Sequence, residues 1–347
     1  MTDLSPRRRR ILKYVVEEYV RTAMPVSSDV IVRRYDSSVS TATVRNELAQ
    51  LEDLGLTAQA HTSAGRTPTD AGYRFFVEHL MLSEDPSLGE QRTIQHQFHQ
   101  VEPDIADWAQ LASSVLANAV CAAAVVTPPS SPRARVLRIA LLNIQERVVL
   151  VTVVLASGSV RQQVLHTTVA VDRPAADSSG NRLSDDLEGL GTAEVAARLD
   201  GYQALDREAA EAVLRMLEQA DRQSFEDVYH EGLAHMLSEP EFASSQKAVP
   251  VVQALERGHL LGPLLSQALA SDGVQVIIGA EQPVEELRET SAVLTRYGSD
   301  GEAMGVLGIF GPTRMPYWRA VPMVRFIARV MDLLVSDVRN SAGTHRA

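Results

Sequence analysis

Apolar residues recur at helical spacing through the first fifty residues. Ile11, Leu12, Val15, Val16, Tyr19 and Val20 form one stripe, and Val44, Leu48 and Leu51 form another. A helix repeats every 3.6 residues, so each set shares a single face. The spacing predicts a first helix from about Ser5 to Thr22, with Ser5 as cap and Pro6 at the first helical position. Ala23-Met24-Pro25 breaks it, Ser27 caps a short second helix to about Tyr35, and Asp36 to Val39 form a turn. Ser40 caps a third helix that ends near Gly55. The pattern then changes to a short strand, Leu56–Ala60, and a turn, His61 to Arg66, in which Gly65 is expected to supply the unusual dihedrals of a tight tip. Thr69 caps the next helix, which carries Tyr73, Phe75, Phe76 and Val77.

Beyond residue 80 the pattern loosens. Residues 83–106 are polar and mixed and read as a linker helix with loops; an Ala-rich helix, Trp108–Ala124, follows. Three strand-like runs, Val136–Ile144, Arg147–Leu155 and Val160–Thr168, make an antiparallel meander. Residues 173–186, rich in Gly, Asp and Ser, read as a loop, and residues 192–240 as acidic helices, clearest at Leu205–Gln219 and Phe225–Leu237. Strand character returns at Val274–Gly279, a helix is expected around Val284–Glu289, and two further strands, Ala292–Tyr297 and Gly305–Phe310, precede a last helix, Tyr317–Val338. The simplest topology is an α+β domain in two halves separated by an inserted helical unit near 184–262.

Length and composition add limits. The 347 residues are too many for one core, so two or three domains are expected. The longest apolar runs, such as Val148–Ala156, are far short of the ~20 residues of a membrane span. The N-terminal arginines are not followed by the apolar run of a signal peptide, so a cytoplasmic protein is expected. The single cysteine, Cys121, excludes an intrachain disulfide and reads as a buried structural thiol among Ala and Val.

Charge changes the picture more. The net charge is −11, yet residues 1–80 carry 11 Arg/Lys against 10 Asp/Glu, while residues 184–256 carry 5 against 16. The acid is concentrated away from the N-terminal module, which is therefore free to approach a polyanion. Of the 33 basic residues all but Lys13 and Lys247 are Arg, the residue suited to forked phosphate and base contacts.

The third helix carries the candidate chemistry. Opposite its apolar face lie Ala42, Asn46, Ala49 and Asp53, with Thr43 and Arg45 on the flanks. Small residues admit a helix to the major groove, Arg45 offers two donors to guanine, and Asn46 pairs with adenine. A helix followed at once by a hairpin is the layout of a winged helix-turn-helix, in which Thr62, Ser63 and Arg66 reach phosphate or the minor groove beside Ser40, Thr41, Ala42, Thr43, Arg45 and Asn46. Two readings of Arg7 to Arg10 stand, phosphate contact or a solvated face. Two also stand for Val213, Leu214 and Leu217, dimer contact or domain core.

Other chemistry finds little support. His96 and His99 lie three residues apart, with no Cys, Asp or Glu at ligand spacing, so no metal is expected. Gly305 to Gly311 is GxxGxxG with apolar filling and reads as strand, not a dinucleotide loop. His166, His230, His235 and His259 are scattered, and Asp185-Asp186-Leu187-Glu188 is an acidic loop start, so neither catalytic residues nor a cofactor is expected.

Long motifs in order resemble one family, the heat-inducible transcription repressor HrcA. They are ILKYVVEEYVRTAMPVSS, STATVRNELAQLEDLG, HTSAGRTPTDAGYRFFV, VYHEGLAHMLSEPEF, and IIGAEQP with GVLGIFGPTRMPYWRAVPMV, and they span nearly the whole chain. Thr67 stands where members commonly carry isoleucine, and Ala23-Met24 is less polar than the usual Gly-containing turn. The resemblance implies an α+β multidomain protein: a winged helix-turn-helix at 1–80, a linker at 81–106, a GAF-like domain in two halves at 107–183 and 263–347, and an inserted helical dimerisation domain at 184–262. It further implies a homodimer that binds double-stranded DNA at an inverted-repeat operator, CIRCE, upstream of chaperone operons. The GroE chaperonin would keep it active, and it would associate with the nucleoid when bound. The alternative is a regulator controlled by a small ligand in the GAF-like domain.

Overall fold

The computed structural model describes residues 4–59, 65–83, 85–102, 104–129, 134–156, 159–223, 228–256, 261–298 and 304–343. It is a mixed α and β protein of two compact units. One comprises residues 1–128, 228–298 and 305–347, the other 129–227 and 299–304.

The first unit opens with helices α1 (Pro6–Thr22), α2 (Ser28–Arg34) and α3 (Thr41–Asp53), then a hairpin of β1 (Thr57–Gln59) and β2 (Arg66–Pro68). Each helix starts at a hydroxyl: Ser5, Ser27 and Ser40 accept hydrogen bonds from the amides of Arg8, Val30 and Thr43. α1 stops at Ala23, which takes a left-handed φ of 54° and returns its N–H to Tyr19 O. Gly65 lies outside the left-handed region, contrary to expectation. Its lack of a side chain matters for another reason: a Cβ would sit 2.7 Å from the Pro25 carbonyl carbon. That approach lets Val26 and Arg66 exchange two backbone hydrogen bonds.

Thr69 caps α4 (Asp70–Phe75), which continues into a π-helical turn, Phe76–Leu80. The expected linker contains α5 (Leu88–Gln100), and it is packed: Ile94 and Phe98 are buried in the core shared by α1 and α6 (Ile105–Val120). Cys121 corrects the reading of a buried thiol. It is exposed, because it caps α6 in the left-handed conformation, φ 53°.

After β3 (Ala123–Val126) the chain builds the second unit. The meander β4 (Val136–Gln145), β5 (Val148–Leu155) and β6 (Val160–His166) forms as expected, with Leu142 opposite Leu150 and Leu150 opposite Val164. Residues 173–186, read as a loop, are instead part of helix α7 (Arg173–Leu187). Asp172 caps it, accepting from Ala175 N at 2.8 Å. Small residues lack periodic bulk in the sequence but allow close contact: a Cβ on Gly180 would meet Leu141 N at 2.9 Å. α8 (Thr192–Arg198) and α9 (Ala204–Gln223) complete the unit. Val149, Val151 and Val153 point inward to Ala176, Leu183, Val213 and Leu217, all in one core. Val213 and Leu217 are therefore core residues, with Leu214 packed beside them.

The chain re-enters the first unit at β7 (Tyr229–Glu231), an edge strand paired with β3, followed by the short α10 (Leu233–Leu237). Of the helix expected over Phe225–Leu237 only Leu233–Leu237 is helical and residues 225–227 lie outside the described residues; Tyr229–Glu231 is strand instead, because β3 offers a free edge that local propensity does not register. α11 (Ser245–Glu256), α12 (Gly262–Ala270), β8 (Gln275–Ile278), β9 (Thr290–Gly298), β10 (Met304–Pro312) and α13 (Tyr317–Gly343) follow. A single 3-10 turn, Glu285–Leu287, stands where a helix was expected. The sheet order is β7-β3-β10-β9-β8. α6 and α13 pack on each other and on this sheet. The meander thus belongs with residues 184–223 and not with the five-stranded sheet, so the two units do not follow the expected split at residue 184.

Candidate nucleic-acid interface

α3 buries Val44, Leu48 and Leu51 and turns Ala42, Arg45, Asn46 and Ala49 to solvent. Ser40 is exposed, and Thr41 and Thr43 are half-buried at the rim of that face. The Ser40 hydroxyl accepts from Thr43 N at 3.1 Å and lies 2.8 Å from the Thr43 hydroxyl, so both are occupied in starting the helix. The first turn of a helix is its electropositive end, and here it projects small polar side chains. Among the described residues, neither Arg45 nor Asn46 has a hydrogen-bond or ion-pair partner. The structure thus brings six of the sequence-predicted residues onto one end of one helix. Thr62 and Ser63 lie outside the described residues.

Arg66 is placed differently from Arg45. Its guanidinium forms an ion pair with Glu52 of α3 at 2.8 Å. From the other side Arg8 donates to Glu47 at 3.0 Å and to Gln50. Sequence reading missed Glu47 and Glu52 as partners; the signal was the excess of acids over the single base, Arg45, in a helix expected to meet DNA. Arg7, Arg9 and Arg10 are exposed on the first turns of α1. The Asp36 carboxyl, held by hydrogen bonds from Ser38 and then by Arg10 and Arg7, sits below the usual carboxylate range.

α1 and α2 are joined through Glu18, a buried carboxylate. It accepts from Arg34 at 2.9 and 3.1 Å, from Tyr35 Oη at 2.8 Å and from Arg21. Burial, and then the hydrogen bond to Glu18, push the Tyr35 phenol up to about 12.

This helical module is anchored within the first unit by polar contacts of Arg74, Asp70 and Arg314. Arg74 of α4 pairs with Glu281 and donates to Val276 O at 2.6 Å. Burial works against the Glu281 charge, but Arg74 and the Ile278 amide hold its carboxyl below its ordinary value. The Asp70 carboxylate accepts from Ala280 N at 2.9 Å. Arg314 pairs with Glu239 and Glu241 and donates to Val20 O at 3.1 Å. A cavity of about 690 Å³ lies beside these contacts, walled by Lys13, Arg21, Phe76, Cys121, Arg314 and Trp318 among others. Among the described residues no group of three or more His, Cys, Asp or Glu is placed to hold a metal ion, and no helix is long and apolar enough to cross a membrane.

Residues 106–321 match a family model described as the HrcA protein C terminal domain. The chain is similar to the heat-inducible transcription repressor HrcA of Roseiflexus sp., 42% identical over 99% of this chain and 98% of that one. It is also similar to that of Herpetosiphon aurantiacus, 43% identical over 97% and 96% respectively. A crystal structure described as that of a hypothetical protein, at 2.2 Å resolution, aligns with a TM-score of 0.57 and 22% identity, covering 96% of this chain and 98% of that one. That likeness concerns the fold alone.

Proposed function

We propose, from the premise that the chain belongs to the HrcA family of heat-inducible transcription repressors, that residues 1–80 form a winged helix-turn-helix whose α3 reads DNA. The observation that carries this reading is the unpartnered, exposed pair Arg45 and Asn46 at the start of α3. Arg45 would read guanine and Asn46 adenine, with Ser40, Thr41, Ala42 and Thr43 close to the backbone. The operator is an inverted repeat of the CIRCE type, upstream of chaperone operons. One such module makes few base contacts, so specificity requires two modules on a two-fold axis.

The five-stranded sheet with its helices is the GAF-like domain in this reading. The homodimer contact belongs to the second unit. In support, the outward face of its meander exposes Leu142, Ile144, Val160 and Val164 at 54, 50, 56 and 51%, an apolar face of the kind that marks interfaces. Control by the GroE chaperonin and cytoplasmic residence, at the nucleoid when bound, rest on family membership.

In a gel-shift assay on the organism's own chaperone promoter, Arg45→Ala and Asn46→Ala abolish operator retention while circular dichroism is unchanged. Undiminished retention by both variants sinks the assignment. A second reading, control by a small ligand, has the 690 Å³ cavity in its favour, a volume within the range of ligand sites. That cavity borders α1 rather than lying inside the sheet domain. A thermal-shift screen with metabolites in which none raises the melting temperature removes it.

A further inference from the structure

α3 carries one cation, Arg45, and three carboxylates, Glu47, Glu52 and Asp53. A helix with that balance is repelled by a polyanion unless its acids are neutralised. Two of them are, and by residues from opposite sides. Arg8 arrives from the first turn of α1 and Arg66 from the hairpin, reaching Glu47 at 3.0 Å and Glu52 at 2.8 Å. Both pairs are mostly withdrawn from water, the side chains being 22 and 14% exposed in the first and 17 and 34% in the second.

The Arg66 backbone is fixed as well. It pairs with Gln59 across the hairpin and exchanges two hydrogen bonds with Val26. Its Nε is buried and, among the described residues, without an acceptor, so this side chain has given up one donor to place another on Glu52. At 100° and 1.5 Å per residue, positions five apart lie about 140° apart around a helix and roughly 7.5 Å apart along it. Two grips so placed resist both rolling and sliding.

We infer that Arg8 and Arg66 are positioning residues that lock the DNA-reading helix through Glu47 and Glu52, rather than ligands of DNA phosphate. The inference rests on the proposed DNA reading. It departs from the expectation that Arg66 itself touches the nucleic acid. Such a lock sets where Arg45 and Asn46 enter the groove, and it removes two negative charges from the approaching surface.

Charge exchange within the pair tests it, because the double variant keeps the net charge of the unsubstituted chain. The full chain is prepared as Arg66→Glu, as Glu52→Arg and with both substitutions. Amide hydrogen exchange in α3 is followed without DNA, and operator affinity is measured over a range of salt. The lock predicts that each single variant loses protection in α3 and that the double variant regains it. Affinity falls at least about 30-fold in Arg66→Glu and returns to within about fivefold in the double variant, with the wild-type slope of log affinity against log salt, since no phosphate contact is lost. If protection is unmoved in the single variants, the lock is wrong. If protection returns but affinity does not, and the slope is shallower by about 0.9, Arg66 contacts phosphate and the positioning role is overturned. Failure of the unsubstituted chain to retain the operator refutes the DNA reading instead, and the exchange measurement still decides the lock. The same exchange between Arg8 and Glu47 is the second pair.

Discussion

In the N-terminal helices charged side chains cross between elements over an apolar core that includes Leu12, Val16, Ile31, Val44 and Leu51. Glu18 joins α1 to α2 through Arg34 and Tyr35, Arg8 joins α1 to α3, and Arg66 joins the hairpin to α3. In the 129–227 unit the centre is aliphatic, Val149, Val151 and Val153 of β5 meeting Leu183 of α7 and Val213 and Leu217 of α9, and the charged crossing from Arg182 of α7 to Asp206 of α9 lies at its edge. Its ion pairs, such as Arg207 with Glu211 and Asp200, lie at the surface. Apolar contact is strong and tolerant of direction, so it suits the interior of a unit whose first requirement is stability. Charged hydrogen bonds add less net stability but fix angle and register, which suits a helix whose exposed face must meet a partner in one orientation.

That contrast is open to attack at several points. The largest effect is expected at Leu183, fully buried in the second unit. Leu183→Ala is expected to cost about 3 kcal/mol, from lost transfer energy and the cavity left behind, read as a lowered urea midpoint. A cost below about 1 kcal/mol would mean that this core is looser than its burial indicates.

Next comes Glu18→Gln, which keeps the shape but removes the charge that Arg21, Arg34 and Tyr35 share. A loss of about 2 kcal/mol is expected, less than for a fully buried pair because both arginines are half exposed. Hydrogen exchange localises the loss to α1 and α2; a uniform loss across the chain contradicts the local role.

A smaller effect is expected from alkali. The Tyr35 phenol is raised from 10.0 to about 12 in the folded chain. The folded state therefore favours the protonated phenol. That stabilisation is intact below pH 10 and is lost as pH rises towards about 12. Tyr35→Phe flattens this part of the pH profile of α1–α2 exchange, and an unaltered profile removes Tyr35 from the account. The smallest effect is expected for Arg207→Gln, whose pairs are exposed: less than about 0.5 kcal/mol in the same urea titration. A larger cost there would undo the contrast between buried charge in the N-terminal helices and surface charge in the second unit.

Legibility in the sequence followed the same division. Helix starts at Ser5, Ser27 and Ser40 were readable because capping is local. So was the outward placement of Arg45 and Asn46, because it follows from the 3.6 repeat once Val44, Leu48 and Leu51 are buried. α7 was not, since a helix that packs by smallness has no apolar stripe: Ala176, Ser179 and Gly180 read as loop residues until β4 lies against them. The strand Tyr229–Glu231 was not either, because its edge partner, β3, lies a hundred residues earlier in the chain.

The sequence alone determined the order and caps of the N-terminal helices, the meander, the uneven charge and the face of α3 that looks outward. These depend on interactions within a few residues. The tertiary structure decided which arginines are free. Arg45 and Arg66 are both basic residues in a small polar setting, and nothing in their neighbours along the chain separates them. Only the fold brings Glu52 to within 2.8 Å of Arg66 while Arg45 has no such partner among the described residues. An ion pair forms between groups that are close in space, and closeness in space is what periodicity along the chain does not encode.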